Sequence, residues 1–149
     1  MHKILLTGSS GFIGFNILEN LSKKNKIFII FRNKLPKKFS KNKNIKIIKL
    51  KNYIDLNSQL KKIKIDIVIH CATHYAKTHK FSDIRKFCDA NLLLGNVILE
   101  NLDIMKVKKF INFSTVWENS NRKIDNPKNL YSAYKKSFST ILNFYKKKL

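Results

Sequence analysis

Five short stretches of this chain, residues 3–7 (KILLT), 26–31 (KIFIIF), 45–50 (IKIIKL), 65–71 (IDIVIHC) and 109–113 (KFINF), are dominated by apolar residues with little strict alternation. A strand with one wet face alternates apolar and polar side chains, so runs this apolar fit strands covered on both faces. Helical spacing separates them. Phe12, Ile13, Ile17, Leu18 and Leu21 predict a helix over 12–22, residues 56–63 a shorter one, and 81–103 a long helical segment. Strands alternating with helices predict an α/β fold built on a doubly wound parallel sheet. The 149 residues suit one domain spanning 1–149, with neither repeat nor linker, and 44% apolar content is enough for a core.

Three of the four glycines, Gly8, Gly11 and Gly14, fall in the stretch TGSSGFIG, which starts at Thr7 on the end of the first predicted strand. Immediately after a strand and opening a helix, this spacing points backbone N–H groups at an incoming pyrophosphate. Gly8 makes the turn, Gly11 admits the phosphates, and Gly14 lets helix and strand pack closely.

The chain carries a formal charge of +22. A nucleic-acid binder is one reading of that charge. However, only Arg32, Arg85 and Arg122 are arginines, and the lysines are scattered. Base readers rely on arginine forks, so specific nucleic-acid recognition is not expected. No run is long enough for a membrane anchor, and the N-terminus does not read as a secretory signal. Cys71 and Cys88, without a paired-cysteine motif, suggest a reducing cytoplasm. His70, His74 and His79 beside Cys71 lack the carboxylate or cysteine spacing of a zinc site, and no metal is expected.

Two further patterns bear on chemistry. In the long segment, Ile84, Phe87, Cys88, Asn91, Leu92, Gly95, Ile98, Leu99 and Leu102 trace one helical face, with Asn91 inside the apolar stripe. A buried amide needs partners, either neighbouring backbone or a site that it supports. Later, Tyr131 and Lys135 stand four residues apart on a predicted helix, sharing a face. An ammonium beside a phenol favours the phenolate and makes the pair a proton-exchanging group. Ser114–Thr115 closes the last strand, where a hydroxyl can hold a substrate oxygen.

Taken together, these motifs resemble the extended short-chain dehydrogenases/reductases, the NAD-dependent epimerase/dehydratase family, over the whole chain. The resemblance implies a Rossmann-type domain of strand order 3-2-1-4-5. It also implies an NAD(P) cofactor and a nucleotide-diphosphate sugar substrate oxidised, reduced, epimerised or dehydrated at a ring carbon. Residue by residue, Thr7, Gly8, Gly11, Phe12, Ile13 and Gly14 match the dinucleotide loop. Asp55 and Leu56 match the pair that meets the adenine, and Cys71 and Ala72 match positions lining the cofactor. Thr115 matches the catalytic Ser/Thr and Tyr131 the acid/base. Lys135 matches the partner that also holds the nicotinamide ribose, and Asn91 a supporting asparagine.

The chain departs from the family where Val116-Trp117-Glu118 replaces the usual Val-Tyr-Gly, and the link from Thr115 to Tyr131 is short. FSTVW and the residues leading to Tyr131 are similar to the branch that includes CDP-abequose synthase-like 4-ketosugar reductases. Arg32 stands where NAD-selective relatives place an acid, which favours NADP over NAD. The family continues beyond this length into a substrate lobe, so that lobe is expected to be missing and the isolated chain to turn over sugar nucleotides negligibly. Dimers in the family form through helices corresponding to 81–103 and 131–147. The readings that compete with an enzyme are a catalytically inactive dinucleotide-binding remnant or interaction module and, third, a basic nucleic-acid-binding module.

Overall fold

In the computed structural model, residues 1–31, 39, 41–119 and 126–146 are described. Five strands form one wholly parallel sheet: β1 (Lys3–Thr7), β2 (Lys26–Phe31), β3 (Ile45–Lys49), β4 (Ile67–His70) and β5 (Lys109–Asn112). Their order is β3-β2-β1-β4-β5, as expected. The change of direction on either side of β1 opens a crevice at the carboxyl ends of the strands.

Burial follows the expected pattern at the centre of the sheet and departs from it at the edge. β1 and β2 are sealed over most of their length, whereas β3, an edge strand, exposes Lys46, Ile47 and Lys49. One face is covered by α1 (Phe12–Leu21), with Leu18 buried against Ile4, Leu6, Ile27 and Ile29. The other carries α2 (Tyr53–Leu60), α4 (Leu94–Leu99) and α6 (Leu130–Tyr145), packed on Leu5, Phe28, Ile30 and Val68. Each fully buried Leu, Ile or Phe contributes about 1.5–3 kcal/mol, so these two layers hold the sheet rigid.

Several element boundaries differ from the spacing-based expectation. α2 begins at Tyr53, not at 56, because the Asn52 side chain accepts the Asp55 N–H and caps the helix ahead of its apolar residues. β4 ends at His70. The segment 81–103 is not one helix: α3 (Asp83–Phe87) runs into a π-helical turn, Cys88–Leu93, then α4, and after a break α5 (Leu102–Met105). The wider turn rotates the later residues, so Leu94 is buried and Leu93 is exposed. The break follows Glu100, where Asn101 turns its amide to the Val97 carbonyl and to Asn57.

Gly95 sits where α4 meets α6. A Cβ there would stand 2.2 Å from the Phe138 ring, so its absence lets the two helices close on each other. No helix among the described residues is long and apolar enough to cross a membrane.

Candidate active site

The glycine loop follows directly from β1. Gly8 has φ +70°, in the left-handed region, and a Cβ on it would lie 2.6 Å from the Cys71 carbonyl carbon and the Ala72 nitrogen. Only glycine fits. A Cβ on Gly14 would lie 2.2 Å from the Gly8 carbonyl oxygen, so this glycine is what lets α1 start hard against the loop. Gly11 is different. A Cβ there would meet only that same oxygen, at 3.5 Å, an ordinary contact. Its freedom from side chain leaves open space, not packing.

Below the loop, Thr7 and His70 end paired strands. The Thr7 hydroxyl hydrogen-bonds His70 Nδ1 at 2.9 Å and accepts the Ala72 N–H at 3.1 Å. This knot holds Cys71 and Ala72 against Gly8. Burial, then the nearby Lys135 charge, lower the His70 pKa to about 3, so the ring is neutral. Burial raises the Cys71 thiol to about 11, against the pull of Lys135, which makes it a poor nucleophile at neutral pH.

A cleft of about 280 Å³ opens at the loop, lined by Gly8, Ser9 and Ser10, by Ile30, Phe31 and Leu50 from the ends of β2 and β3, and by Ala72 and Thr73 beyond β4. Its chemistry fits a dinucleotide. α1 starts at this loop, and Gly11 gives it no side-chain cap, so its first N–H groups remain available to an anion. The buried Ser9 hydroxyl has no partner among the described residues. Phe12 and Ile13 stand exposed at the helix start.

The structure does not bring Asp55 and Leu56 to this cleft. Leu56 is fully buried in the core, and the Asp55 carboxylate accepts the Gln59 amide at 2.9 Å. Leu50, the last residue of the third apolar run, lines the cleft. Arg32 lies outside the described residues.

The second half of the site is built on α6. Asn129 caps the helix, accepting the Ser132 N–H while the Ser132 hydroxyl accepts the Asn129 N–H. That cap fixes where Tyr131 begins the first turn. The Thr73 side chain acts on the Tyr131 phenol and favours its ionised form, and the phenol ring meets Tyr75 edge-on at 5.1 Å. Lys135 is buried one turn on, at 3% exposure, with no ion pair among the described residues.

The electrostatics differ from the sequence expectation. Burial raises the Tyr131 pKa, the Thr73 side chain pulls against it, and Tyr75 and Glu118 add smaller rises. Lys135 is absent from those influences. Its ammonium acts on His70 and Cys71 below, and burial lowers its own pKa against the charges of Glu118 and Cys71. In this state Tyr131 is a phenol and a weaker acid than free tyrosine.

Asn91 lies on the π-helical turn, 2% exposed, and reaches the loop after β4. Its Oδ1 accepts the His74 N–H at 2.6 Å and its Nδ2 donates to the His74 carbonyl at 3.1 Å. The bonds are to backbone, yet the backbone they hold carries Thr73 and Tyr75. Thr115 accepts the Trp117 N–H and starts a 3₁₀ turn, Val116–Glu118. Trp117 packs near Tyr75, with the Lys128 ammonium 5.2 Å over its ring. His74 turns to Asp83 at 3.2 Å, away from His70. Among the described residues no three ligand-type side chains gather.

A five-stranded doubly wound sheet, with a glycine-loop cleft at its switch point and a Tyr-x-x-x-Lys helix beside it, defines a Rossmann-type domain. The NAD dependent epimerase/dehydratase family model matches residues 4–148, and the chain belongs to that family. Among curated proteins it is similar to the dTDP-D-glucose 4,6-dehydratase of Dictyostelium discoideum, 32% identical over 99% of this chain and 41% of that protein. It is also similar to the CDP-abequose synthase of Yersinia pseudotuberculosis, 30% identical over 97% of this chain and 51% of the relative. Among solved structures, the UDP-glucuronic acid 4-epimerase of Bacillus cereus in complex with UDP-glucuronic acid and NAD superposes with a TM-score of 0.80 at 24% identity, covering 97% of this chain and 52% of that one. The chain spans about half the length of the curated relatives it matches.

Proposed function

We propose that this chain carries the cofactor-binding and proton-transfer half of a nucleotide-sugar oxidoreductase. One observation carries the reading: Thr73 lines the glycine-loop cleft and its side chain also acts on the Tyr131 phenol. The dinucleotide cleft and the proton donor are therefore one continuous site. A nicotinamide dinucleotide held by the Gly8–Gly14 loop supplies or accepts the hydride. Tyr131 gives its proton to the keto oxygen of the sugar, Thr115 orients that oxygen, and Lys135 holds the ribose and supports the phenol.

The substrate proposed is a nucleotide-diphosphate sugar, which is what the relatives' names describe. For the cofactor we propose NADP(H) over NAD(H), because no carboxylate occurs between Glu19 and Asp55 to repel a 2′-phosphate. A cytoplasmic setting suits the free thiols of Cys71 and Cys88. We propose self-association through the groove formed by Leu93 of the π-helical turn, Val97 of α4, and Ile141, Phe144 and Tyr145 of α6, where Phe144 is 75% exposed.

Titration of the purified chain with NADPH and NADH at matched salt tests the site and its preference. Tighter NADPH binding is expected, weakened by Gly11→Ala. Binding of neither, or tighter NADH binding, overturns the corresponding part. Turnover is then assayed across UDP-, GDP-, CDP- and dTDP-sugars. Loss of association in Phe144→Lys, by sedimentation velocity, tests the dimer face.

A further inference from the structure

Glu118 stands at the end of the 3₁₀ turn, only 9% exposed. A buried carboxylate next to a catalytic helix needs a reason, because burying a charge costs stability unless it is hydrogen-bonded or matched. The first condition is met here. Its Oε1 accepts from the Ser114 hydroxyl at the end of β5 and from the Ser139 hydroxyl of α6 at 3.3 Å. Tyr131, Lys135 and Ser139 follow at i, i+4 and i+8, on one face of α6. The carboxylate is thus anchored on the face that carries the acid/base pair, one turn beyond Lys135.

We propose that Glu118 is a positioning residue for the Tyr131–Lys135 pair: seated between Ser114 and Ser139 on the pair's face of α6, its carboxylate sets the electrostatic surroundings of both groups. The inference rests on the function proposed above. It is supported from both partners, since the Glu118 charge raises the pKa of Tyr131 and that of Lys135. The other groups facing the pair have different effects. Thr73, from the loop after β4, lowers the phenol, while Tyr75 raises it. From the β4 end, Cys71 supports the ammonium, and the neutral His70 only feels it. On α6 itself, Tyr134 turns to Cys88 and Lys136 to Asn119. Among the described residues, Glu118 is the one carboxylate acting on both members. Forming phenolate beside that carboxylate is opposed by like charge, so Tyr131 holds its proton more tightly and its phenolate takes one back more readily.

The test needs no turnover. The Tyr131 titration is isolated as the part of the tyrosinate absorbance change with pH that disappears in Tyr131→Phe. It is then compared between the natural chain and Glu118→Gln, which keeps an oxygen for both serines but removes the charge. The proposal expects a lower phenol midpoint in Glu118→Gln, with Glu118→Asp restoring it toward the natural value. An unchanged or higher midpoint in a Glu118→Gln protein with unaltered melting overturns it. If Glu118→Gln melts early, Ser139→Ala replaces it: freeing the carboxylate without changing charge must also move the midpoint, and a fixed midpoint there overturns the proposal. NADPH titration of the same samples reports separately on the functional reading. Lost cofactor binding with a shifted midpoint refutes the enzyme and leaves the electrostatic link standing.

Discussion

The side-chain amide of Asn91 grips the backbone of His74 at two points, accepting its N–H at 2.6 Å and donating to its carbonyl at 3.1 Å. The grip spans from a helix to the loop after β4, and that loop carries Thr73, which meets the Tyr131 phenol. Asn91→Ala leaves two buried backbone groups without these bonds, which costs about 1–3 kcal/mol. Chemical denaturation should show that loss, and the Tyr131 titration should broaden or shift as Thr73 loses its fixed place. Asn91→Asp keeps the acceptor and loses the donor, so it should fall between the two. Full stability in Asn91→Ala refutes the clamp.

The glycines of the loop are not equivalent, and substitution should separate them. Gly14→Ala drives a Cβ onto the Gly8 carbonyl, and Gly8→Ala strains a φ of +70° against the Cys71–Ala72 backbone. Each should cost about 1–3 kcal/mol or more, as forced overpacking does. Gly11→Ala meets only an ordinary contact at 3.5 Å and should melt like the natural chain, yet bind NADPH more weakly because its methyl occupies the approach of the phosphates. Equal stability losses at all three positions would argue that the loop is simply a turn.

Much of the fold was legible because central parallel strands must be apolar on both faces, so β1, β2 and β4 appear as runs in the sequence itself. The π-helical turn was not, since one wider turn leaves composition unchanged while rotating Leu94 inward. Residues of the site were legible where backbone geometry forces a type, as at Gly8 and Gly14. Asp55 and Leu56 are not among the residues lining the cleft: they lie past the Asn52 cap, where the helix turns Leu56 into the core. Leu50 and Thr73 carry no type-specific signal. The phenol was misjudged for a similar reason: helical spacing puts Lys135 on the same face as Tyr131, but burial sends its charge toward His70 and Cys71. The acid at Glu118 was visible as a departure from the family pattern, and its meaning needed the serines that fold brings to it.

Tyr131 and Lys135 should respond differently to substitution. Tyr131→Phe removes the proton donor, and where a full-length context restores activity, turnover on the sugar nucleotide should fall about 10²–10⁴-fold while NADPH affinity stays close to normal. Lys135→Met keeps the buried stem and removes a desolvated ammonium that makes no ion pair among the described residues. Replacing such a charge with an apolar chain of similar size is often neutral or stabilising. The expected result is a melting temperature equal to or above that of the natural chain, with weakened cofactor binding. A clearly lower melting temperature would mean that the ammonium is structural.

The chain should also lose stability in mild acid through one residue. His70 has a pKa of 6.5 when free and about 3 in the fold, because it is fully buried and faces the Lys135 charge. Between those values the unfolded chain binds a proton that the folded chain refuses, so stability falls as pH falls. The contribution is complete above 6.5 and drains away toward 3, at a slope approaching about 1.4 kcal/mol per pH unit within that window. Asp83 works in a lower range. Its pKa drops from 3.8 to about 2, chiefly through the Lys80 N–H bond, then the Lys86 bond, so its share is lost only as pH falls from 3.8 through about 2. The region from 6.5 down to 3.8 therefore isolates His70. Urea unfolding across that region should show a slope that His70→Gln removes, since glutamine offers Thr7 a hydrogen-bond partner but takes up no proton. If the natural chain and His70→Gln lose stability in parallel there, the acid sensitivity lies elsewhere.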